Sequence, residues 1–188
     1  MAIDDQLNEV SDGRVLAIPD QSAQNDGSKI RILVVEDDPS TQMLYEKGLF
    51  NQVFEKKMVT SGKEALRIYR EWHPDIVALD IYLPEMSGYH ILKEIRETIG
   101  DRQTSIVMAT SQSRSQDITA CITLGVEGYI VKPFSLRDIG AKILSYYAKK
   151  EPERAQKADA LLQEILKEAP IRLLVEKNKF KSNEAEVK

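Results

Sequence analysis

The sequence predicts an α/β fold: a doubly wound, five-stranded parallel β-sheet with helices on both faces and a helical extension at the C-terminus. Five short apolar segments alternate along the chain with five segments of helical periodicity. The apolar segments are too continuous for strands with a solvated face, which is typical of a sheet covered on both sides. Strands that are joined through helices pair in parallel, through right-handed crossovers.

The five predicted strands are rich in aliphatic residues and stop at charged or hydroxyl-bearing residues. Their ranges are 30–35, 53–60, 76–80, 105–109 and 128–131. The second strand is the most polar of the five, which suits a position at the edge of the sheet. The other four are expected to be buried.

The helix boundaries are indicated by capping residues, glycine and proline. The predicted helices start at Pro39, Ser61, Ser87, Ser115 and Ser135. Pro39 suits a first helical turn, and Ser61 with Glu64 three residues later matches a capping box. Gly100 and Gly125 suit the C-terminal ends of the third and fourth helices.

Composition excludes several classes of protein. The chain has 188 residues, enough for one domain with extensions, and its formal net charge of −4 argues against a general nucleic-acid binder. The single cysteine, Cys121, rules out an internal disulfide and is expected to be a small core residue of a helix. No segment approaches the roughly 20 apolar residues of a membrane span, so we expect a cytoplasmic protein without a membrane partner.

The chain is expected to divide into three parts. Residues 1–28 carry six acidic residues against one arginine and are predicted to form a largely disordered acidic arm. Residues 29–149 form the α/β domain, and residues 150–188 form a helical extension with a charged tail. The extension is predicted to begin at Pro152 and to be interrupted at Ala169-Pro170.

The extension carries an apolar stripe on its first turns. Its members are Ala155, Ala158, Leu161, Leu162, Ile165 and Leu166. A helix of this length is marginal alone, so the stripe is expected to dock on the α/β domain, on a partner or on a second copy of the chain. We expect an interaction element here rather than a catalytic one.

Polar side chains stand at the ends of four predicted strands. Glu36 and Asp37 follow the first strand, Asp80 ends the third, Thr110 follows the fourth and Lys132 follows the fifth. The carboxyl ends of parallel strands meet at one edge of the sheet, where such folds bind ligands. Three carboxylates in one crevice suit Mg²⁺, with Asp80 as a nucleophile that accepts a phosphoryl group. Alone, each residue would be a helix cap, a strand-end hydroxyl or a solvated lysine; together they indicate this chemistry.

Four motifs resemble the receiver domain of bacterial two-component response regulators. They read ILVVEDDP, ALDIYLPEMSGYHIL, IVMATSQS and GYIVKPF, and they follow one another in the order and spacing of that family over roughly residues 29–147. The resemblance implies a flavodoxin-like fold of the chemotaxis-regulator type, with strand order 2-1-3-4-5. No DNA-binding output domain is recognisable after residue 149.

The resemblance implies a phosphoacceptor and a metal site. It makes Asp80 the phosphoacceptor, and it makes Glu36, Asp37, Asp80 and the backbone carbonyl of Tyr82 the groups that hold Mg²⁺. Tyr82 is bulky for a position two residues after Asp80. In this family that position and the one occupied by Gln112 help set how fast water attacks the acyl phosphate. We expect Tyr82 to shield the phosphoryl group partly and so to make the loss of phosphate slow.

The resemblance also implies a switch. Lys132 and Thr110 contact the phosphoryl oxygens, and Tyr129 is the aromatic residue that follows Thr110 inward on activation. The Lys132-Pro133 peptide is expected to be cis.

Some positions depart from the family pattern or stand outside it. Ser87 occupies a position where aspartate is usual, and Leu83 one where methionine is common. His73 and His90 lie near helix ends and are not expected to donate phosphate. None of these positions alters the expected phosphorylation of Asp80.

The leading interpretation is a stand-alone response regulator: a sensor histidine kinase or a histidine phosphotransfer protein loads Asp80, and the changed surface binds a downstream protein. It is a signalling switch and not an enzyme with a separate substrate. An alternative is a phosphorelay intermediate that passes phosphate onward to a histidine phosphotransfer protein. A transcription regulator that touches DNA is disfavoured because no helix-turn-helix pattern is visible. A homodimer through the extension stays open.

Overall fold

The computed structural model describes residues 29–111 and 115–185, with side chains described for residues 29–111 and 118–168. The strands are β1 (Ile30–Val35), β2 (Phe54–Val59), β3 (Ile76–Asp80), β4 (Ser105–Thr110) and β5 (Gly128–Val131). They pair in parallel in the order β2-β1-β3-β4-β5, which confirms the predicted topology and places β2 at an edge. The predicted arm, residues 1–28, lies outside the described residues.

Six helices connect and cover the sheet within the described ranges. They are α1 (Pro39–Gly48), α2 (Gly62–Trp72), α3 (Gly88–Lys93), α4 (Ser115–Leu124), α5 (Ile139–Tyr147) and α6 (Pro152–Ala185). Ser61 caps α2 as predicted, because its side chain accepts a hydrogen bond from the backbone N–H of Glu64 at 3.3 Å. In the part of the chain that the structure describes, no helix has both the length and the apolar character to cross a membrane.

The sheet separates two hydrophobic cores. Successive side chains of β1 point to opposite faces, so Ile32 and Val34 pack with α1, α5 and α6, whereas Leu33 and Val35 pack with α2, α3 and α4. Both faces of the three central strands, β1, β3 and β4, are therefore buried, which explains their apolar sequences. The fifth strand is also predicted to be buried, but β5 forms the second edge of the sheet and its Val131 is 56% exposed. Cys121 is 1% exposed in the second core and confirms the expected core role.

The third helix differs from the predicted one. After α3 the chain continues into a π-helical turn, Glu94–Thr98. The wider turn changes the angular position of the following residues, so Ile99, which follows Ile95 at helical spacing in the sequence, is 37% exposed while Arg96 is 2% exposed. A sequence period of 3.6 residues does not reveal such a turn.

The fifth helix starts later than predicted, at Ile139. The Ser135 side chain caps a separate preceding turn, in which it accepts a hydrogen bond from the backbone N–H of Arg137 at 3.2 Å. Asp138 occupies the N-cap position of α5. The sequence offers two suitable capping residues here, and the boundary falls at the second.

The extension is one continuous helix, so the predicted interruption at Ala169-Pro170 is wrong. Proline removes one backbone hydrogen bond, but the residues around it, rich in leucine, lysine, arginine and glutamate, are good helix formers. Leu161, predicted on the apolar stripe, is 40% exposed and lies at its margin.

The first turns of α6 dock on the α/β domain. Ala155 and Leu162 are 2% and 0% exposed in the core shared with α1 and α5. Arg154 places its Nη1 2.8 Å from Asp75 Oδ1 and 2.8 Å from the Tyr147 hydroxyl, which ties the start of α6 to the start of β3. Of the three surfaces considered for the stripe, the domain itself is the one that it contacts.

Asp101, in the loop after the π-helical turn, is expected to stabilise the fold in a pH-dependent way. Burial raises the pKa of its carboxyl, but hydrogen bonds from Thr104, Tyr69 and the backbone N–H of Gln103 outweigh burial and lower the pKa to about 2. A depressed pKa contributes stability above the ordinary value near 3.8, and that stability is lost as the pH falls toward 2. The substitution Asp101→Asn should therefore lower the free energy of unfolding by about 1–2 kcal/mol at pH 7, after allowance for solvent screening.

Urea unfolding of wild type and Asp101→Asn at pH 7 and pH 3 checks this. The difference in free energy of unfolding between the two proteins should be about half as large at pH 3 as at pH 7. A difference that stays constant across this range would contradict the assignment.

Candidate functional site

Asp80 ends β3 and lies 7% exposed at the carboxyl edge of the sheet. Its Oδ1 accepts a hydrogen bond from the backbone N–H of Tyr82 at 3.1 Å. The loop returns directly over the strand end, since the N–H of Gly88 donates to the carbonyl of Ile81 at 2.9 Å. A Cβ at position 88 would collide with the backbone carbonyl of Asp80. Gly88 therefore permits the close turn that fixes the Asp80 carboxylate.

Lys132 joins two carboxylates. Its Nζ lies 2.5 Å from Asp80 Oδ2 and 2.5 Å from Glu36 Oε2, and the Lys132 side chain is only 11% exposed. The contact with Glu36 is a close ion pair between two almost fully buried groups. Thr110 holds the lysine backbone, because its carbonyl accepts from the Lys132 N–H at 2.9 Å. The predicted cis peptide between Lys132 and Pro133 is confirmed.

Glu36 is the most buried of the acidic residues after β1. It is 1% exposed, and burial raises the pKa of its carboxyl, with the Lys132 ammonium acting in the opposite direction. Its backbone carbonyl accepts a hydrogen bond from Gln42 at 2.6 Å. Asp37 is exposed toward the site. Asp38 instead caps α1, because it accepts hydrogen bonds from the Thr41 N–H and hydroxyl, both at 2.7 Å, which lower its pKa.

The residues fit a hard divalent cation. Glu36, Asp37 and Asp80 each offer a carboxylate oxygen, and these atoms lie within 4.8 Å of one another. With all groups ionised, three carboxylates and Lys132 leave a formal charge of −2, which a divalent cation would offset. Oxygen ligands with room for water suit Mg²⁺. The cavity that these residues line, about 370 Å³ in volume, provides that room.

The two switch residues lie on adjacent strands. Thr110 is fully buried at the end of β4, where it pairs in register with Val131 of β5. Tyr129 is partly buried against the core of α2, α3 and α4, and its backbone carbonyl accepts a hydrogen bond from the Tyr146 hydroxyl at 2.8 Å. Their switching role stays a prediction.

The remaining positions singled out in the sequence lie around the site or away from it. The Tyr82 side chain is 43% exposed and lines the cavity, while Gln112 lies outside the described residues. Ser87 Oγ lies 2.7 Å from His90 Nδ1, so it contacts its own helix and not the phosphoacceptor. His73 ends α2 in a left-handed conformation (φ 49°), consistent with a helix-terminal role.

Comparison with known families identifies the class of this domain. A model of the response regulator receiver domain family matches residues 32–144. The chain therefore belongs to the response regulator receiver domain family. Receiver domains bind Mg²⁺ at an acidic pocket, and family membership supports phosphorylation-dependent two-component signalling with kinase or phosphotransfer partners.

Individual relatives share the domain at moderate identity. The chain is 33% identical over 118 residues to the transcriptional regulatory protein TrcR of Mycobacterium tuberculosis, covering 63% of this chain and 45% of TrcR. It is 32% identical over 131 residues to the DNA-binding response regulator MtrA of Mycolicibacterium smegmatis, covering 70% of this chain and 56% of MtrA. The chain thus spans about half the length of the curated relatives it matches.

A solved structure supports the same fold. The crystal structure of a response regulator receiver domain protein (CheY-like) from Methanospirillum hungatei JF-1 superimposes with a TM-score of 0.60 at 25% identity. The match covers 66% of this chain and 98% of that structure. Together with the strand order, this confirms the flavodoxin-like architecture.

Proposed function

We propose that this protein is a phosphorylation-dependent response regulator in which Asp80 accepts a phosphoryl group, with Mg²⁺, from a phosphohistidine of a sensor kinase or a histidine phosphotransfer protein. The observation that supports this most directly is the contact between Lys132 Nζ and Asp80 Oδ2 at 2.5 Å, beside the oxygen ligands of Glu36 and Asp37. A nucleophilic carboxylate, a cation for the phosphoryl group and a set of metal ligands meet at one place. We infer that the reaction takes place in the cytoplasm.

The transfer makes one bond and breaks one. A carboxylate oxygen of Asp80 attacks phosphorus, the phosphorus–nitrogen bond to the donor imidazole breaks, and its electron pair returns to the ring. Bound Mg²⁺ supplies neutralisation of the negative charge on the phosphoryl oxygens. Lys132 turns from the carboxylates to a phosphoryl oxygen, joined there by the Thr110 hydroxyl. The Tyr82 N–H, already 3.1 Å from Asp80 Oδ1, keeps the carboxylate oriented.

The acyl phosphate acts as a signal. It biases an equilibrium between two conformations in which Thr110 and Tyr129 differ, and so changes the surface of α4, β5 and α5 that a downstream protein binds. The protein turns over no separate substrate. Onward transfer of the phosphate to a histidine phosphotransfer protein would instead make it a relay intermediate. Transcriptional regulation and DNA binding, the roles for which TrcR and MtrA are named, belong to proteins about twice as long as the matched region and are not transferred to this chain.

Phosphorylation by a low-molecular-mass donor tests the proposal. Incubation of the full chain with acetyl phosphate and Mg²⁺ should add one phosphoryl group, detected by intact mass spectrometry. Addition of EDTA and the substitution Asp80→Asn should each abolish the product. The yield of phosphorylated protein should fall by more than roughly 100-fold in each case, because the substitution removes the nucleophile and EDTA removes the Mg²⁺ that offsets the negative charge of the site.

Asp138→Asn is the matched control. Asp138 is an exposed carboxylate at the start of α5 without a side-chain hydrogen bond to the helix end, so this variant should be phosphorylated like the wild type. Equal phosphorylation of wild type and Asp80→Asn would refute the assignment of the phosphoacceptor.

A further inference from the structure

Tyr45 of α1 carries a buried hydroxyl without a hydrogen-bond partner. The residue is 1% exposed, and in the described part of the chain only three buried side-chain atoms share this condition. They are the Tyr45 hydroxyl, Glu36 Oε2 and Ser105 Oγ. An orphaned buried donor is rare in folded proteins and carries a desolvation penalty, so each instance calls for an explanation.

The position of Tyr45 directs it toward the phosphoacceptor site. Side chains on a helix lean toward its N-terminus, and the N-terminus of α1 is the end that borders the site. The Tyr45 ring packs against Phe134, with ring centroids 4.8 Å apart, and Phe134 lines the same cavity as Asp80. Tyr45 is therefore in the layer of side chains directly behind the site.

The charges that act on the hydroxyl belong to the site. Burial, followed by the negative charges of Glu36 and Asp80, raises the pKa of Tyr45 far above its ordinary value. The phenol thus remains protonated and can donate a hydrogen bond to a carboxylate. If Tyr45 served only to fill the core, phenylalanine would give the same ring without an orphaned donor.

Phosphorylation creates a need for such a donor. Before transfer, Lys132 is the charge partner of both Glu36 and Asp80. A phosphoryl group on Asp80 draws the ammonium toward its own oxygens. Glu36, at 1% exposure, then loses the ammonium that lies 2.5 Å from its Oε2. A neutral donor can satisfy Glu36 without competing for the phosphoryl group.

We propose that Tyr45 is a positioning residue for the phosphorylated state, in which its hydroxyl donates a hydrogen bond to the Glu36 carboxylate as Lys132 turns to the phosphoryl group. The inference rests on the proposed function of Asp80. Tyr45 does not touch the reacting atoms; it acts through Glu36, which remains in place to face the metal.

Two single substitutions separate this role from ordinary core packing. Tyr45→Phe and Ser105→Ala each remove one orphaned buried hydroxyl, but Ser105 starts β4, at the opposite edge of the sheet from Asp80. Both variants should unfold in urea at a concentration equal to or above that of the wild type, since neither loses a hydrogen bond of the unphosphorylated state. Binding of beryllofluoride with Mg²⁺, a mimic of the phosphoryl group, is then measured for all three proteins.

Tyr45→Phe should bind beryllofluoride roughly 10- to 150-fold more weakly than the wild type, the effect of losing one hydrogen bond to a charged acceptor, and Ser105→Ala should bind like the wild type. The acyl phosphate of Tyr45→Phe should also decay faster by several-fold. Unchanged affinity in Tyr45→Phe, equal weakening in both variants, or a loss of unliganded stability in Tyr45→Phe would each overturn the inference. Failure of the wild type to bind beryllofluoride would instead refute the proposed function.

Discussion

Replacing Arg96 with methionine is expected to lower the free energy of unfolding by about 3–5 kcal/mol, the largest stability effect of any single substitution proposed for this protein. The guanidinium is almost fully buried at the π-helical turn and joins two loops, the one before β4 and the one after α4. It donates to the carbonyls of Asp101 and Thr104 at 2.9 Å and of Gly125 at 3.1 Å. Methionine has a similar volume but no donor, so the carbonyls of Asp101 and Gly125 would lose the guanidinium, while that of Thr104 would keep only Lys150 Nζ at 3.0 Å.

The charge partner of Arg96 adds to the loss. Glu127 Oε2 lies 3.4 Å from Arg96 Nη2, and the Glu127 side chain is 10% exposed. Lys150 remains beside this carboxylate at 2.8 Å, so the charge is not left alone. Lysine at position 96 should not restore stability, because its single ammonium cannot reproduce the planar fork that reaches three carbonyls.

Arg67→Met is the matched control for Arg96→Met. Arg67 pairs with Glu71 at 2.7 Å on the surface of α2, where both side chains are more than half exposed, and such pairs contribute at most about 0.5 kcal/mol. Urea unfolding with fitted midpoints and slopes measures both variants. Similarly small decreases in the free energy of unfolding of the two variants would show that the buried guanidinium stabilises the fold no more than a surface arginine does.

Gly88→Ala is expected to slow phosphorylation strongly although it leaves every charged group of the site in place. The added Cβ would overlap the backbone carbonyl of Asp80 and approach Leu79 Cγ to 3.1 Å. Either the end of β3 or the start of α3 must move, which costs about 2–3 kcal/mol of stability. A shift of the phosphoacceptor by about 1 Å should slow phosphorylation by acetyl phosphate roughly 100-fold.

Gly140→Ala tests whether the effect is specific. At this position in α5 an added Cβ would meet Leu162 Cδ2 at 3.1 Å and the carbonyl oxygen of Gly48 at 3.3 Å, which are tight contacts but not overlaps and do not involve Asp80. Alanine also favours the helix by about 1 kcal/mol over glycine, so stability and phosphorylation should stay close to those of the wild type. Normal phosphorylation of Gly88→Ala would contradict the close packing over Asp80.

The fold and the residues of the site could be predicted because their signals are local. Each buried strand is a continuous apolar run, and the polar residue that ends it marks the same edge of the sheet. Asp80, Lys132 and Glu36 are therefore recognisable in the sequence, and their mutual contacts follow from the parallel topology.

The features that could not be predicted depend on distant contacts. Arginine usually lies on the protein surface, and Arg96 is buried only because it belongs to the π-helical turn. In the sequence, Gly88 resembles any first residue of a helix, and its close contact with the backbone of Asp80 depends on the folded path of the loop. Tyr45 fits a helical core position, and its orphaned hydroxyl becomes visible only when every buried polar atom has been assigned a partner. In each case the deciding neighbour is remote in sequence or leaves no periodic pattern.

The length of α6 would amplify small movements of the domain on which it is docked. Its first turns are fastened to the core and to Asp75, while the backbone continues as one helix to Ala185. A helix of 34 residues is about 51 Å long, and the part beyond Leu166 accounts for somewhat more than half of it. A tilt of about 10° where α6 rests on α5 would displace the far end by roughly 5 Å. A small repacking of α5 would thus become a movement large enough for another protein to detect.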